Sequence, residues 1–396
     1  MPGALTGVRI IDATSLFAGP LATMTLADQG ADVIKVEPPG GQGDLLRKMG
    51  ILHQGVAATF HAVNRNKRSI VLNLRDERGQ AILHRLIRDS DVFIHSFRPG
   101  VAARLGIDEP GLRAVRDDLI HVSLTGWGET GPLAARPAYD SIVQAASGLA
   151  ASQAGPDGRP ELIHNALVDK VSGLNLAQCI TAALFARAQT GAGQHVELNM
   201  LDAAVAFLWL DVMQHRTFVG HESEERNAWM RLVQTRDGWI ILSLNSDTSF
   251  RAAVEALDDP SLGEDPRFQT VQARGTALDA LSEAVEERTR HWDSATLCER
   301  LTAADVPHAR VTGLEEVEDH EQVQANGTLR EDPLPGGGAI RHTRPVARFT
   351  ATPSSVRRLA PGLGEHTAEV LAELGVDARA RDTLFAEGVV EGDAPD

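Results

Sequence analysis

Cysteine is scarce in this sequence: Cys179 and Cys298 are the only two among 396 residues. They lie in unrelated apolar helical patterns without metal-type spacing, so we expect buried, inert thiols and no metal site. Apolar runs of about 18 residues are also lacking, which argues against a membrane-spanning helix. The first residues have neither the basic nor the apolar region of a secretory signal. We therefore expect a cytoplasmic protein that does not enter a membrane.

Positive charge is in short supply as well, with 38 Lys and Arg against 54 Asp and Glu and a net charge of −16. This balance argues against nucleic acids and anionic membranes as partners. An anionic ligand would need a local basic patch. Basic residues do cluster near predicted strand ends, namely Arg65, Lys67, Arg68, Arg75, Arg98 and Arg104. A solvated surface explains any one of them, but together they predict a pocket for a phosphorylated cofactor.

The N-terminal third alternates short β-branched runs with helical patterns. Strands are predicted at residues 8–12, 32–37, 70–74, 91–95 and 119–124, and helices at 19–29 and 77–88. This alternation predicts an α/β fold whose parallel sheet carries helices on both faces. Ligands of such sheets bind beyond the carboxyl ends of the strands.

Further along, residues 140–219 read as mainly helical, apart from a strand at 195–198. The Asp237-Gly238 pair between two apolar runs predicts a β-hairpin. Residues 339–349 read as a strand pair or one long strand. We therefore expect a discontinuous large domain and a smaller α+β domain, with the large domain at 1–219, the small domain at 220–330 and a return to the large domain at 331–396.

A glycine-rich segment, Gly126 to Gly131, matches the G-x-G-x-x-G pattern of dinucleotide-binding proteins and follows a predicted strand. Pro132 comes directly after it, and no amphipathic helix begins there, so nicotinamide binding is poorly supported. A tight active-site loop explains the glycines better.

Asp169 is the residue of greatest chemical interest. It stands at the head of an apolar stretch, Leu174 to Arg187, that reads as a buried helix. A carboxylate there is unfavourable unless it is paired, hydrogen-bonded or used, and the helix dipole would keep it ionised. One interpretation is a helix N-cap residue. The other is a nucleophile toward acyl groups.

The ordered set of motifs along the chain resembles the family III CoA-transferases, the CaiB/BaiF group, which includes formyl-CoA transferase and α-methylacyl-CoA racemase. The resemblance runs nearly end to end. Its carriers are Ile10-Ile11-Asp12 with Gly19-Pro20, the segment Leu26 to Gly40, Asn66-Lys67-Arg68-Ser69, Ser96-Phe97-Arg98-Pro99-Gly100, Tyr139-Asp140, Asp169, the segment Thr190 to Gln194, and Leu363-Gly364-Glu365-His366-Thr367.

The resemblance implies a Rossmann-like large domain, a small domain and an interlocked homodimer. It also implies that Asp169 attacks an acyl-CoA thioester, giving an aspartyl–acyl anhydride and then an aspartyl–CoA thioester. Neither ATP nor a metal is then needed, because one carboxylate stores the acyl-transfer potential.

The resemblance further implies contacts with coenzyme A from Phe17, Ala18, Leu72, Arg75, Ser96, Phe97, Arg104 and Tyr139. We expect Arg75, Arg98 and Arg104 to bind its phosphates. Two positions depart from the family pattern. Pro38 replaces a basic residue that is often present, and Ser96 replaces the usual Asn, although a serine still forms hydrogen bonds.

Three functions remain open, with CoA transfer between an acyl-CoA and a carboxylic acid favoured. The racemase branch needs a His at the position of Tyr139, which is the chain's single tyrosine. A phenol with a pKa near ~10 replaces imidazole poorly, and nothing in the spacing of His121 or His164 suggests that they compensate. A CoA-binding protein without turnover is the third function, and the intact Asp169 argues against it.

Residues 245–265 also lack the long glycine-rich loop of the formyl-CoA/oxalate branch, so we do not expect oxalate or formate as substrates.

Overall fold

A computed structural model describes residues 2–155, 157–221 and 230–393 of the chain. It divides into two compact units. The large unit comprises Met1–Leu210 and Arg330–Asp396, and the small unit comprises Asp211–Leu329. Residues 222–229 of the expected small domain lie outside the described residues.

The first segment of the large unit alternates strands and helices. Its elements are β1 (Arg9–Ala13), α1 (Ala18–Asp28), β2 (Asp32–Glu37), β3 (Leu52–His53), β4 (Val56–Ala57), α2 (Ala58–Asn64), β5 (Lys67–Leu72), α3 (Glu77–Arg88), β6 (Val92–His95), α4 (Val101–Arg104), α5 (Glu109–Val115), β7 (Ile120–Thr125), α6 (Asp140–Ser147), α7 (Leu149–Ser152), α8 (Leu167–Thr190), β8 (His195–Asn199) and α9 (Met200–Trp209).

The remaining elements follow in chain order. The small unit contains β9 (Val233–Gln234), β10 (Trp239–Leu242), α10 (Asp247–Leu257), α11 (Pro260–Glu264), α12 (Val271–Thr276), α13 (Leu278–Thr289), α14 (Ser294–Ala303), β11 (His308–Arg310) and α15 (Glu321–Ala325). The return segment contains β12 (Leu329–Pro333), β13 (Ala339–Thr343), α16 (Thr367–Glu373), α17 (Ala378–Ala386) and β14 (Val390–Glu391).

A seven-stranded sheet in the order β14-β5-β2-β1-β6-β7-β8 forms the centre of the large unit. All neighbouring strands are parallel except β14, which is antiparallel to β5. The predicted α/β fold with a mainly parallel sheet is therefore confirmed. The strand order reverses between β1 and β6, and doubly wound sheets bind ligands at such a switch point.

Helices cover both faces of this sheet, as a parallel sheet requires. On one face, Ile82, Leu83, Leu86 and Ile87 of α3 are buried in a core shared with α5 and α16. Alternate strand residues point to the opposite face. There α1 contacts β1 and β2, α8 contacts β7 and β8, and the two helices pack on each other.

The short strand β14 was not predicted. Val390 pairs with Leu72 at the end of β5. The side chain of Glu391 accepts hydrogen bonds from the backbone N–H groups of Gly40 and Gly41, at 2.8 and 3.2 Å. This strand thus joins the end of β5 to the turn that follows β2.

The small unit has its own core, in which Phe250 and Phe268 are fully enclosed. The predicted hairpin is confirmed, since β9 and β10 pair antiparallel around Asp237-Gly238. The expected strand at 339–349 is shorter, spanning Ala339–Thr343, and it pairs with β12. None of the helices in the described ranges is both long and apolar enough to cross a membrane.

Candidate active site

Two of the clefts in the large unit open at the carboxyl end of β1. The larger has a volume of about 990 Å³ and is lined mainly by residues that follow β1, β2, β5 and β6. The smaller has a volume of about 260 Å³ and contains Asp169. Ser15, Ser96 and Phe97 line both clefts and therefore form a shared wall. This is the switch point at which such sheets bind their ligands.

Asp169 lies in the first turn of α8. Its backbone N–H donates to Asp140 Oδ2 at 3.0 Å. Across the described residues, its own carboxylate has neither a hydrogen-bond partner nor an ion-pair partner. The N-cap interpretation is wrong, because Ala166 occupies that position and no side chain caps the helix. Asp169 is thus a half-buried carboxylate without a structural use.

Burial raises the pKa of Asp169 to about 7, and the like charge of Asp140 acts in the same direction. The expectation that the helix dipole keeps this carboxylate fully ionised is therefore wrong, since loss of water outweighs the dipole. Near pH 7 both protonation states are populated. A carboxylate of raised pKa is also more basic, which favours nucleophilic attack once it is ionised.

Gln144 fixes the segment that leads into α8, and sequence reasoning missed it. This side chain is buried, with 1% of its surface exposed. Its Nε2 donates to Asp140 Oδ1 at 2.5 Å and to the Asn165 carbonyl at 3.1 Å, while its Oε1 accepts from Ile163 N–H at 2.9 Å. It therefore links Asp140 to the start of the helix that carries Asp169.

Close packing of α1 and α8 brings Asp169 to the cleft. Gly173 follows Asp169 by one helical turn, so the two share a face of α8. A Cβ atom at Gly173 would lie 2.7 Å from the Ala18 carbonyl oxygen at the start of α1. Any larger residue would separate the two helices at this point.

A buried ion pair holds the turn between β1 and α1. Leu16 has a φ of 65°, in the left-handed region that favours glycine. Its N–H donates to Asp44 Oδ1 at 3.1 Å, and Lys35 Nζ donates to the Thr14 carbonyl at 3.0 Å. Lys35 Nζ and Asp44 Oδ2 lie 2.8 Å apart and are almost fully buried. The pair thus fixes both ends of a strained turn that lines the clefts.

The residues expected to bind coenzyme A fall into three groups. Leu72, Arg75 and Arg104 line the larger cleft, and Ser96 and Phe97 line both. The third group, Ala18, Arg98 and Tyr139, lines the smaller cleft together with Asp169. Phe17 differs from all of these, because its side chain packs against the cluster of Leu46, Phe60 and Val63.

Ser96, one of the departures from the family pattern, accepts a hydrogen bond at its Oγ from the backbone N–H of Ser15, at 3.2 Å. It therefore connects the end of β6 to the turn after β1. Pro38, the other departure, lines the larger cleft.

The basic residues separate into two classes. Arg65 and Arg68 are buried in ion pairs with Asp28 and Asp32, each at 2.7 Å. Lys67 is fully buried and pairs with Asp12 at 3.0 Å. The interpretation of these three as part of a phosphate pocket is wrong. They lie before or at the start of β5, at the end of the sheet opposite the clefts.

The arginines of the clefts have no such partners. Arg75 and Arg104 line the larger cleft, and Arg98 and Arg136 line the smaller one. For the portion of the chain that the structure describes, none of these four guanidinium groups lies within 4.0 Å of a carboxylate. Arg136 was not singled out from the sequence, because it follows no predicted strand.

The histidines considered for proton transfer do not line the cleft that contains Asp169. His121 is buried on the sheet, where its Nε2 lies 3.1 Å from His95 Nε2 and burial lowers its pKa to about 3. His164 is exposed. Neither lines the smaller cleft, whereas Tyr139 does.

The glycine-rich segment after β7 forms a tight loop. Gly128 and Gly131 have φ values of 99° and 94°. A Cβ atom at Gly126 would lie 2.1 Å from the Ala138 Cβ, so only glycine lets the loop pack there. The next helix, α6, begins at Asp140. A helix directly after the glycines, which dinucleotide binding requires, is therefore missing, and Gly126 lines the smaller cleft.

Comparison with known proteins gives consistent matches over nearly the whole chain. A family model for CoA-transferase family III matches residues 5–367. Succinate–glutarate CoA-transferase of Agrobacterium fabrum is 35% identical over 382 residues, which cover 93% of this chain and 95% of that protein. Acetyl-CoA:oxalate CoA-transferase of Acetobacter aceti is 34% identical over 381 residues, covering 94% and 96% respectively.

Among solved structures, a CaiB/BaiF family protein from Brucella suis aligns with a TM-score of 0.82 and 33% sequence identity. The alignment covers 94% of this chain and 100% of that one. Sequence and structure comparisons thus agree over the same region.

Proposed function

Because the chain belongs to the family III CoA-transferases, we propose that it moves coenzyme A from an acyl-CoA to a carboxylic acid through covalent intermediates on Asp169. The observation that carries this proposal is the state of that carboxylate. It is half-buried, its pKa is raised to about 7, and it lines a cleft without a partner among the described residues. Structural carboxylates of this chain, such as Asp12 and Asp28, are paired instead.

The reaction begins when an Asp169 oxygen attacks the thioester carbonyl carbon of the donor. The carbon–sulfur bond breaks, leaving an aspartyl–acyl anhydride and CoA thiolate. The thiolate attacks the aspartyl carbonyl of the anhydride and expels the donor acid as its carboxylate. The enzyme then holds an aspartyl–CoA thioester.

The second half follows the same steps in reverse. The acceptor carboxylate attacks the aspartyl thioester and releases CoA thiolate, forming a new anhydride. The thiolate then attacks the acceptor carbonyl, which gives the new acyl-CoA and regenerates the Asp169 carboxylate. No step changes an oxidation state, and none consumes a nucleotide.

The two clefts suit the two ends of an acyl-CoA. We assign the phosphate groups to the larger cleft, where Arg75 and Arg104 lack carboxylate partners in the described ranges. The pantetheine arm then passes the shared wall of Ser96 and Phe97 to bring the thioester to Asp169. Ala18 is the first residue of α1 and lines the smaller cleft together with Asp169. Its backbone N–H has no partner within the helix, so it is suited to stabilise an oxyanion.

We also assign a homodimer to this protein, as its family resemblance implies. The long helix α8 supports it, because Leu174 and Phe185 are 58% and 65% exposed although the helix is mainly apolar. Exposed apolar surface of this kind marks association sites. The molar mass in solution, measured by light scattering, tests this assignment, and a monomer at micromolar concentration would refute it.

A trapping experiment tests the covalent mechanism. The enzyme is incubated with an acyl-CoA, treated with hydroxylamine or borohydride, digested and examined by mass spectrometry. We expect modification at Asp169 and loss of turnover in Asp169→Ala. Asp202→Ala is the matched control, since Asp202 also lies in the first turn of a helix but is exposed. Turnover in Asp169→Ala would overturn the proposal.

The rival functions give different results in the same samples. A racemase would exchange the α-proton of the acyl-CoA with deuterium from heavy water and leave no trapped adduct. A CoA-binding protein without turnover would give neither adduct nor exchange. We expect an adduct and transfer to an added acid.

A further inference from the structure

Resting on the proposed function, we propose that the transferred acid is a dicarboxylate, and that Arg136 together with Arg98 binds its second carboxylate. One carboxyl group of the acid would react at Asp169. The other would lie against the two guanidinium groups in the same cleft. Arg136 would then be a residue that determines which acids this site accepts.

The charge inside the smaller cleft is the first observation. Among the residues that line it, the charged ones are Asp169, Arg98 and Arg136. The site therefore carries a positive excess even when Asp169 is ionised, and a larger one when it is protonated near its pKa of about 7. In the aspartyl–CoA thioester that receives the acceptor, Asp169 carries no charge, so both guanidinium groups face the incoming acid without an anion in this cleft. A monocarboxylate supplies one negative charge, whereas a dicarboxylate supplies two and matches both cations.

The lack of partners is the second observation. This chain has 54 acidic residues against 38 basic ones, so most arginines have acids available to them. Arg47, for example, pairs with Glu37 at 2.6 Å. Neither Arg98 nor Arg136 has an ion-pair or hydrogen-bond partner for its guanidinium within the described ranges. A planar guanidinium with several donors suits a carboxylate, which it binds through two parallel hydrogen bonds.

The separation of the clefts is the third observation. Arg75 and Arg104 line the larger cleft, which neither Arg98 nor Arg136 lines, so the phosphates have their own cations. The smaller cleft has only about 260 Å³ and holds the nucleophile, so it receives the acyl end of the substrate. Neither arginine forms a salt bridge with Asp169. Each guanidinium group therefore lies more than 4.0 Å from the Asp169 carboxylate, so a second carboxylate bound there would be separate from the reacting one.

A competition assay tests this inference. The enzyme, an acyl-CoA donor and equal concentrations of glutarate and valerate are mixed, and the two acyl-CoA products are counted by mass spectrometry. These acids have the same chain length and differ only in the second carboxylate. The product ratio gives the ratio of kcat/KM for the two acceptors, and any effect of a variant on the donor cancels.

We expect wild type to favour glutarate. Arg136→Gln should reduce that preference by about 10- to 100-fold, the usual effect of losing a charge-assisted hydrogen bond. Arg98→Gln should act in the same direction, and Arg136→Lys should retain part of the preference. The fall must come from slower use of glutarate, with use of valerate unchanged. Arg104→Gln is the matched control, because it should slow both acids equally.

Two results would overturn the inference. One is a wild-type enzyme that prefers valerate. The other is a glutarate preference that survives in the Arg98→Gln/Arg136→Gln double variant. If transfer through a trapped Asp169 adduct continues while the ratio stays unchanged, this inference fails and the proposed function stands. If no adduct forms with any acid, the proposed function fails first.

Discussion

The two ends of the central sheet treat charge differently. At the amino end of β5, Arg65 and Arg68 are buried against Asp28 and Asp32. Beyond the carboxyl ends of the strands, Arg75 and Arg104 line a cleft without an ion pair in the described residues. Three of these arginines, Arg65, Arg68 and Arg75, lie at or near the ends of β5, and Arg104 ends α4, which follows β6. The presence of a carboxylate partner, rather than position in the sequence, separates arginines that stabilise the fold from those available to a ligand.

The carboxylates follow the same division. Asp12 is fully buried, but Lys67 and two threonines bind it, and these contacts hold its pKa well below the ordinary range despite its burial. Asp169 is less buried but has no such contacts, and its pKa rises to about 7. Burial alone therefore does not determine the state of a carboxylate here. Partners do, and a carboxylate without partners remains available for chemistry.

Replacement of Asp169 should give the largest effect. In Asp169→Asn, turnover should fall by at least about a thousandfold, because the proposed nucleophile is lost. Stability should rise instead. The folded pKa of about 7 lies above the ordinary value of 3.8, so wild type loses stability as the pH rises from about 4 through 7 and Asp169 ionises.

The amide of the variant does not titrate. Urea unfolding at pH 4, 6 and 8 should therefore show an advantage for Asp169→Asn that grows with pH. A variant that is less stable than wild type at pH 8 would contradict the description of Asp169 as an unpartnered carboxylate.

Replacement of a paired carboxylate should lower the stability of the protein and leave its turnover nearly unchanged. Asp28→Ala leaves Arg65 buried without its partner, and breaking a buried pair in this way typically costs about 3–5 kcal/mol of unfolding free energy. Urea unfolding measures this loss. The turnover number of the molecules that remain folded should stay close to wild type. A stable but inactive Asp28→Ala would contradict the assignment of a structural role to Asp28.

Replacement of a cleft arginine should be milder. Arg104→Gln should raise the KM for acyl-CoA by about tenfold, because the charge-assisted contact proposed between Arg104 and a phosphate is lost. The unfolding midpoint should not change, since Arg104 has no partner among the described residues. An unchanged affinity for CoA, measured by calorimetry, would remove Arg104 from the phosphate site.

The smallest expected effect concerns pH. In the proposed mechanism Asp169 attacks as a carboxylate, so the rate should rise with pH through its pKa of about 7. Asp140 raises that pKa by its like charge. In Asp140→Asn, the rising limb of the kcat profile should therefore move to lower pH, by less than the whole shift because burial is the larger cause. A limb that moves to higher pH would contradict this account.

Much of the central sheet could be predicted from the sequence. A short run rich in β-branched residues predicted β2 at residues 32–37, and a strong helical period predicted α3 at 77–88, both with the bounds observed. The edge strand β14 was missed because two residues carry no period. The strand β12 was missed because Leu-Arg-Glu-Asp-Pro has the composition of a loop.

The site could be predicted only in part. Asp169 was singled out because an acid within an apolar stretch needs an explanation, and it lines the smaller cleft. The buried ion pairs of Arg65, Lys67 and Arg68 were misread, because their partners lie on other elements, 55 residues away for Lys67 and Asp12 and 305 residues away for Arg68 and Glu373. Gln144 gave no signal, since a lone Gln in a helix is ordinary. The fold decides which acidic and basic side chains pair, and the local sequence around each residue does not carry that information.

The strand β14 has a consequence for how the protein is made. Through Leu72, Gly40 and Gly41, it braces two walls of the larger cleft, yet Glu391 lies 351 residues downstream of Gly40. During synthesis, the N-terminal half emerges with its parallel strands long before this clasp does. We therefore expect a nascent chain that ends before β14 to lack the contacts that hold the walls of the larger cleft. Binding of acyl-CoA in that cleft should then begin only after β14 has been translated.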